Sequence, residues 1–285
     1  IAKKIFSKSN IILGYDIREM CCSENIDSLN KTEFTQPAIF IISTIVDTIL
    51  KKEKNMFPKV VAGHSLGEFS AIHSANVLNF EDSLNLINIR AKEMAIANSK
   101  AKGAMAAVLY ANNKEINSIC NNNSCDEGIV VKANINSDNQ VVISGDEKAI
   151  DKAIIYSKTL SKKIKCIKLN VSGAFHSPLM TYARKSLSNA LNSLNFNDAS
   201  CPVYQNTDPS PIIDGLQIKD NLLNQLESPV RWSETIKNIR KNEMINNFIE
   251  VGPKNVLSKI NKTISLELIS KNFGTYEEIE EFTYV

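Results

Sequence analysis

The sequence predicts an α/β fold: a large unit on a mostly parallel sheet, carrying a small inserted unit. Three observations lead there. Residues 60–70 read as a short buried strand, a tight turn and the start of a helix. Residues 103–172 read in the order βαββαβ, the split ferredoxin-like unit, which is self-contained. Helical stretches with apolar faces flank both. The large unit therefore takes residues 1–102 and 173–285, and the small one residues 103–172.

Residues 1–14 carry an amphipathic helix pattern from the first position, without an initiator methionine or a signal peptide, which reads as a processed or trimmed start. A polar stretch with Cys21 and Cys22 follows. Thr35-Gln36-Pro37 opens an apolar helix to position 51, with Pro37 in the first turn, where a missing N–H costs nothing. The most apolar run, 38–50, falls short of the about 20 residues that span a bilayer and contains Asp47, so it predicts a buried helix. Beyond the turn at Ser65 an Ala-rich helix runs to Val77. Asn79 caps the next helix, with Glu81 and Asp82 in its first turn and Arg90 further along.

In the small unit, strands are expected at 104–110, 128–135, 140–144 and 165–171, with helices at 114–120 and 147–160. The large unit resumes with Gly173-Ala174-Phe175-His176-Ser177-Pro178 and a helix over 179–194. A strand at 201–204, a helix after Trp232, a strand then turn over 248–253 and a helix from Val256 complete it. The acidic tail after Lys271 reads as loose.

Composition sets bounds on function. Hydrophobic residues make up 43% and charged residues 22%, ordinary values for a soluble globular protein with a real core. A net charge of +2 gives no strong pull toward nucleic acid or membrane. The wealth of Asn, Lys and Ile reads as a nucleotide-composition bias. Cys21, Cys22, Cys120, Cys125, Cys166 and Cys201 form no C-x-x-C pair and no metal-finger spacing, so they read as free thiols in a reducing compartment.

The chemistry concentrates at Gly63-His64-Ser65-Leu66-Gly67, which has the Gly-x-Ser-x-Gly spacing of a nucleophile elbow. A strained turn lifts the serine oxygen out at the top of a sheet, and side chains at the two glycines would keep strand and helix apart. The following helix aims free N–H groups at negative charge developing beside Ser65. A serine nucleophile needs a base. His64 adjoins the serine on a sharp turn and points away from it, and His73 lies far along the next helix, about 12 Å at 1.5 Å per residue. His176, on a Gly-flanked, Pro-terminated loop, is the remaining candidate. Arg90 admits two readings: a packed stem with its head in solvent, or a planar fork gripping a carboxylate.

The chain resembles the malonyl-CoA:acyl-carrier-protein transacylase family, the acyltransferases of dissociated fatty acid synthesis and polyketide synthase modules. The resemblance rests on Gln36-Pro37-Ala38, the elbow through Ala71, Arg90, Gly103-Ala104-Met105-Ala106-Ala107-Val108 and the stretch from Asn134 to Asn136. It continues in Val141-Val142-Ile143-Ser144-Gly145, the His176 loop, Pro229-Val230-Arg231-Trp232 and Glu250-Val251-Gly252-Pro253. It implies a hydrolase-like large subdomain with the active site in the cleft beside the small one. Ser65 would accept the acyl group and His176 act as general base. Arg90 would bind the malonyl carboxylate, Gln225 would orient the imidazole through its main-chain carbonyl, and Leu66 would give an oxyanion-hole N–H. Gln36 and Asn136 would line the cleft, and Phe175 would favour malonyl over its branched homologue.

The implied partners are malonyl-CoA and acyl carrier protein, with no nucleic acid and no membrane, and the expected state is a monomer. The implied cofactor set is empty, CoA and phosphopantetheine serving as substrate carriers and no metal taking part. Lys162, Lys163 and Lys165 read as a solvated charged face that could also meet an acidic carrier. A plastid-type organelle is the expected address, with a cytoplasmic one as the alternative. One departure stands out: the family opens with a strand ending in Gly-Gln-Gly that supplies a second oxyanion donor, and no such motif precedes Ser65 here. Two rival readings share the elbow, a serine hydrolase or thioesterase and a non-catalytic carrier-binding relative.

Overall fold

The computed structural model describes residues 1–23, 27–124, 128–171 and 173–282. Cys125 and the last position of the predicted small unit lie outside the described residues.

Helix α1 (Ala2–Leu13) stops at Gly14, whose left-handed φ of 78° closes the helix end. The polar stretch beyond it contains a helix the sequence did not suggest, α2 (Ile17–Cys22): the Asp16 side chain accepts the Glu19 N–H, and Ile17 is buried. Helix α3 (Thr32–Glu53) begins three residues ahead of the predicted start, which puts Pro37 inside the helix. At 22 residues α3 is long and apolar enough to cross a membrane by length and composition, unlike its 38–50 run. In this fold Phe40, Ile41, Ile45, Val46 and Ile49 enter the main core, and Asp47 pairs with Lys51 at 2.8 Å.

Strand β1 (Val61–Ala62) leads through the Ser65 turn into α4 (Gly67–Ser74), and α5 (Phe80–Lys100) follows, with the Asn79 side chain accepting the Asp82 N–H. Next come β2 (Gly103–Leu109), α6 (Asn113–Asn123), β3 (Val130–Ser137), β4 (Gln140–Asp146), α7 (Glu147–Leu160) and β5 (Lys165–Lys168). These strands form one antiparallel sheet in the order β3-β4-β2-β5. That order, with a helix after the first and third strands, is the ferredoxin-like arrangement. Ala106, Val108, Ile116, Ile119, Ile143 and Ile150 give it a core of its own.

A single 3₁₀ turn leads into α8 (Thr181–Asn192), followed by β6 (Val203–Tyr204), α9 (Gly215–Gln225), α10 (Trp232–Glu243), β7 (Asn247–Val251), α11 (Val256–Ile264), β8 (Ile269–Phe273) and α12 (Tyr276–Glu280). Two of these correct the sequence reading. Helix α9 was not expected, yet Ile218 and Leu222, four apart, are both buried. The tail is not loose up to position 282: β8 runs parallel to β7, and Thr275 and Glu278 cap α12 reciprocally.

The large part holds parallel strands, as expected, but in two separate pairs among the described residues: β1 beside β6, and β7 beside β8. An apolar groove of about 900 Å³, lined by Val61 and Ala62 on one side and Ile249 and Val251 on the other, lies between the pairs. Main-chain hydrogen bonds join the antiparallel sheet to the large part at Val230. Ile135 N–H donates to the Val230 carbonyl and Val230 N–H to the Ala133 carbonyl, each at 2.8 Å. This fixes the segment leading from Gln225 to Trp232 against β3.

Candidate active site

Ser65 sits just past the end of β1 with φ at +53°, a conformation that costs an L-residue energy and persists only where surroundings enforce it. A Cβ on Gly63 would come within 1.9 Å of the Gly67 backbone, so strand and helix approach each other only because position 63 has no side chain. The two glycines of the motif are not equivalent as their spacing implies: a Cβ on Gly67 would meet nothing within 4 Å. No hydrogen bond among the described residues uses the Leu66 N–H, which leaves it available beside Ser65.

The His176 loop brings an imidazole onto the serine. Ser65 Oγ and His176 Nε2 are 2.7 Å apart, and His176 Nδ1 lies 3.0 Å from the Gln225 carbonyl. A carbonyl only accepts, so Nδ1 carries the proton and Nε2 is left with its lone pair toward the serine hydroxyl. His176 is buried and also holds a positive φ, of 57°. Burial, and then the nearby Arg90 charge, push its pKa down to about 3, so the ring is neutral.

Arg90 projects from α5 into the same site with a relative exposure of only 2%. This decides between the two readings of the sequence: the head does not reach solvent. Its Nη2 donates to Ser65 Oγ at 3.2 Å and to Gln225 Oε1 at 2.9 Å, its Nη1 donates to Gln36 Oε1, and its guanidinium lies over the Phe69 ring. Among the described residues no carboxylate is within ion-pairing distance. Burial lowers its pKa to about 10, opposed by the Glu68 charge, which leaves it a cation.

A cavity of about 270 Å³ opens over these groups, lined among others by Gln36, Ser65, Arg90, Phe175 and His176. Asn136, expected in that lining, stands one layer behind it. It bonds His64 Nε2 at 3.0 Å, and Asn134, two residues earlier on β3, lines the cavity instead. A register irregularity between Lys132 and Asn134 and another between Ile135 and Ser137 kink this strand, so simple alternation does not reveal which asparagine faces the cleft. His64 and His73 are engaged elsewhere, the second with the Leu78 carbonyl at 3.0 Å.

Sequence reasoning missed a buried polar layer beneath the turn, made by Glu68, Gln205 and Asn206. Glu68 directly follows the elbow motif; an acid on the inward face of an apolar helix is the available signal. Its carboxyl pKa is raised to about 7 by burial, against hydrogen bonds and the Arg90 charge that favour ionisation.

The arrangement offers a hydroxyl on a strand–turn–helix elbow, a neutral imidazole aimed at it, a free backbone N–H and a buried cation. Those parts suit formation and discharge of an ester with a carboxylic acyl group, and they define the class of protein as a group-transfer or acyl-hydrolysing enzyme.

Comparison with known proteins narrows the class. The acyl transferase domain family matches residues 9–270. A malonyl CoA-acyl carrier protein transacylase of Synechocystis is 36% identical over 279 residues, covering 98% of this chain and 90% of the relative. The corresponding transacylase structure from Coxiella burnetii superposes with a TM-score of 0.93 at 33% identity, covering 98% of this chain and 87% of that one. A malonyl-transacylase solved in complex with a type II PKS acyl-carrier protein gives a TM-score of 0.92 at 31% identity, covering 98% and 89%. The chain belongs to the acyl transferase domain family.

Proposed function

We propose that this chain moves a malonyl group from malonyl-CoA to the phosphopantetheine thiol of an acyl carrier protein, through a malonyl ester on Ser65. The observation that carries the reading is Arg90, a buried cation with neutral partners, 3.2 Å from the serine oxygen. A buried charge without a counter-charge is costly, and an anionic substrate removes that cost.

Ser65 gives its proton to His176 Nε2 as its oxygen attacks the thioester carbonyl. The Leu66 N–H donates a hydrogen bond to the developing oxyanion. The C–S bond then breaks, and His176 returns the proton to sulfur, so that CoA leaves as a thiol. In the second half the carrier thiol gives its proton to His176 and attacks the ester, and Ser65 recovers its hydrogen. The Gln225 carbonyl holds the imidazole in the required tautomer throughout, and Gln36 supports the Arg90 fork that grips the malonyl carboxylate. Phe175, in the cavity lining, limits room at the α-carbon.

Fatty acid synthesis of the dissociated type is the setting this reaction serves. A plastid-type organelle is the address we propose, supported by the compositional bias alone, with a cytoplasmic address as the alternative; immunolocalisation against an organelle marker tests it.

Intact-protein mass after brief mixing with malonyl-CoA tests the reaction. One malonyl adduct is expected on the parent, none on Ser65→Ala, and discharge on adding holo acyl carrier protein. Discharge to water at the same rate without carrier would assign the chain to the hydrolases instead, and carrier binding without any adduct would make it a non-catalytic relative.

A further inference from the structure

We infer that Asn206 and Glu68 are positioning residues that hold the Ser65 turn in its strained form and thereby aim the serine oxygen at His176. The inference rests on the reading of Ser65 as the nucleophile. It stands on a set of buried hydrogen bonds that converge on the turn from behind, opposite no substrate.

Asn206 lies just beyond β6 and clamps the turn at two points. Its Oδ1 accepts the Ser65 N–H at 2.7 Å, and its Nδ2 donates to the Gly63 carbonyl at 2.6 Å. Both backbone groups flank the strained residue, so the amide side chain bridges the entry and the tip of the elbow. From the other side, Gln225 Nε2 donates to the Ser65 carbonyl at 3.0 Å. The Ser65 N–H is thus held by a side chain alone, and its carbonyl by the Gln225 amide together with the Glu68 N–H at 3.1 Å.

Asn206 is itself fixed by Glu68, three positions after Ser65 on α4. Glu68 Oε2 accepts the Asn206 N–H at 2.7 Å, and Oε1 accepts from Gln205 Nε2 at 2.9 Å. Gln205 is anchored in turn to the Ile218 carbonyl at 3.1 Å and to Asn221 Nδ2 at 3.0 Å. A carboxylate with no water contact is retained at a cost that an apolar residue would avoid. What it secures here is an unbroken chain of bonds from α9 to the nucleophile's own amide. The chain also gives α4 and β6 a common anchor, so the serine cannot relax to an ordinary φ without breaking bonds in the interior. A displacement of about 1 Å at the reacting oxygen is enough to cost on the order of a hundred-fold in rate.

The test measures the serine itself, apart from malonyl recognition. A small neutral fluorophosphonate reports the reactivity of Ser65 without calling on Arg90, and amide hydrogen exchange reports the turn. Asn206→Ala and Glu68→Ala should react about a hundred-fold more slowly than the parent, and the Ser65 amide should exchange at least about ten-fold faster. KM for malonyl-CoA should stay within about two-fold while kcat falls. Glu68→Gln keeps an acceptor for the Asn206 N–H and gives up the bond to Gln205, so it should recover most of the rate lost in Glu68→Ala.

Labelling of Asn206→Ala within two-fold of the parent would overturn the inference. So would a Glu68→Gln protein as slow as Glu68→Ala. Should Asn206→Ala fail to fold, or the parent fail to label, amide exchange in the parent decides. A Ser65 amide no better protected than that of Leu66, which has no bonded partner, defeats the proposal, and strong selective protection of Ser65 upholds it. A parent that reacts with the fluorophosphonate but takes no malonyl group separates the outcomes: the malonyl reading falls, and the rates of the variants still judge the latch.

Discussion

One nitrogen of the Arg90 guanidinium donates both to the Ser65 hydroxyl, at 3.2 Å, and to the Gln225 side-chain oxygen, at 2.9 Å. The cation therefore rests on the nucleophile and on a neutral amide that an arriving carboxylate can displace.

That relationship makes Arg90→Ala a test of selectivity more than of fold. Breaking a buried pair of opposite charges costs about 3–5 kcal/mol, so kcat/KM for malonyl-CoA should fall at least about a hundred- to a thousand-fold. Acetyl-CoA brings no carboxylate and should lose little. Arg90→Lys should remain much closer to Arg90→Ala than to the parent, because an ammonium cannot offer the two-pronged fork. Initial rates with the two thioesters check this, and an equal loss for both would assign Arg90 to structure.

The pH profile follows from His176. Its pKa is lowered from 6.5 to about 3, first by burial and then by Arg90. In the free enzyme the base is unprotonated across neutral and mildly acidic pH, so kcat/KM should stay flat from pH 8 to about pH 5. Stability, unlike the rate, changes with pH below neutrality. The unfolded chain takes up a proton on this ring near 6.5 and the folded one refuses it until about 3, so stability is lost as pH falls between the two values. Glu68 has the opposite sign: its folded pKa is raised from 4.5 to about 7, so stability is lost as pH rises through that interval. Urea melts at pH 7 and 4.5 on the parent, His176→Gln and Glu68→Gln separate the two contributions.

The Ser65 turn shows both how much the sequence discloses and where disclosure stops. A Gly-x-Ser-x-Gly run between a strand and a helix locates the turn, and elimination among three histidines locates His176. Those are local facts. Whether Gly63 or Gly67 is the tight contact depends on where α4 crosses β1, and that is set by tertiary packing. The same holds for Asn136, whose side depends on kinks in β3, and for Asn206, which is remote in sequence from the residues it clamps. In β8, Lys271 and Asn272 mask a strand that is defined by pairing to β7 and by the buried Phe273, not by its own composition.

The two glycines give a direct stability experiment. In Gly63→Ala the new methyl would overlap the Gly67 carbonyl, 1.9 Å away, and neither backbone can retreat without moving β1 off α4. Loss of more than about 3 kcal/mol, or no soluble protein, is expected. In Gly67→Ala the methyl faces open space at the first position of a helix, so the effect on stability should stay within about 0.5–1 kcal/mol of neutral. Paired thermal melts settle it, and similar losses in the two variants would contradict the geometry.

Phe175 allows a last prediction, on the acyl group itself. Its ring lines the 270 Å³ cavity, and it also packs against the cluster of Met105, Ala133 and Val142 on the antiparallel sheet and against the main core. Trimming it therefore does two things, enlarging the space near the reacting carbon and loosening the contact between sheet and large part. One methylene in a hydrophobic pocket is worth about 1–3 kcal/mol. Phe175→Leu should narrow the preference for malonyl-CoA over methylmalonyl-CoA by about ten-fold while leaving malonyl kcat within a few-fold. Phe175→Ala should narrow it further but should also lower the melting temperature, since large-to-small changes leave a cavity. Competition between the two thioesters, read as the ratio of acyl-enzyme masses, gives the selectivity directly. If that ratio is unchanged in Phe175→Leu while the melting temperature drops, the ring holds the sheet in place and does not select the substrate.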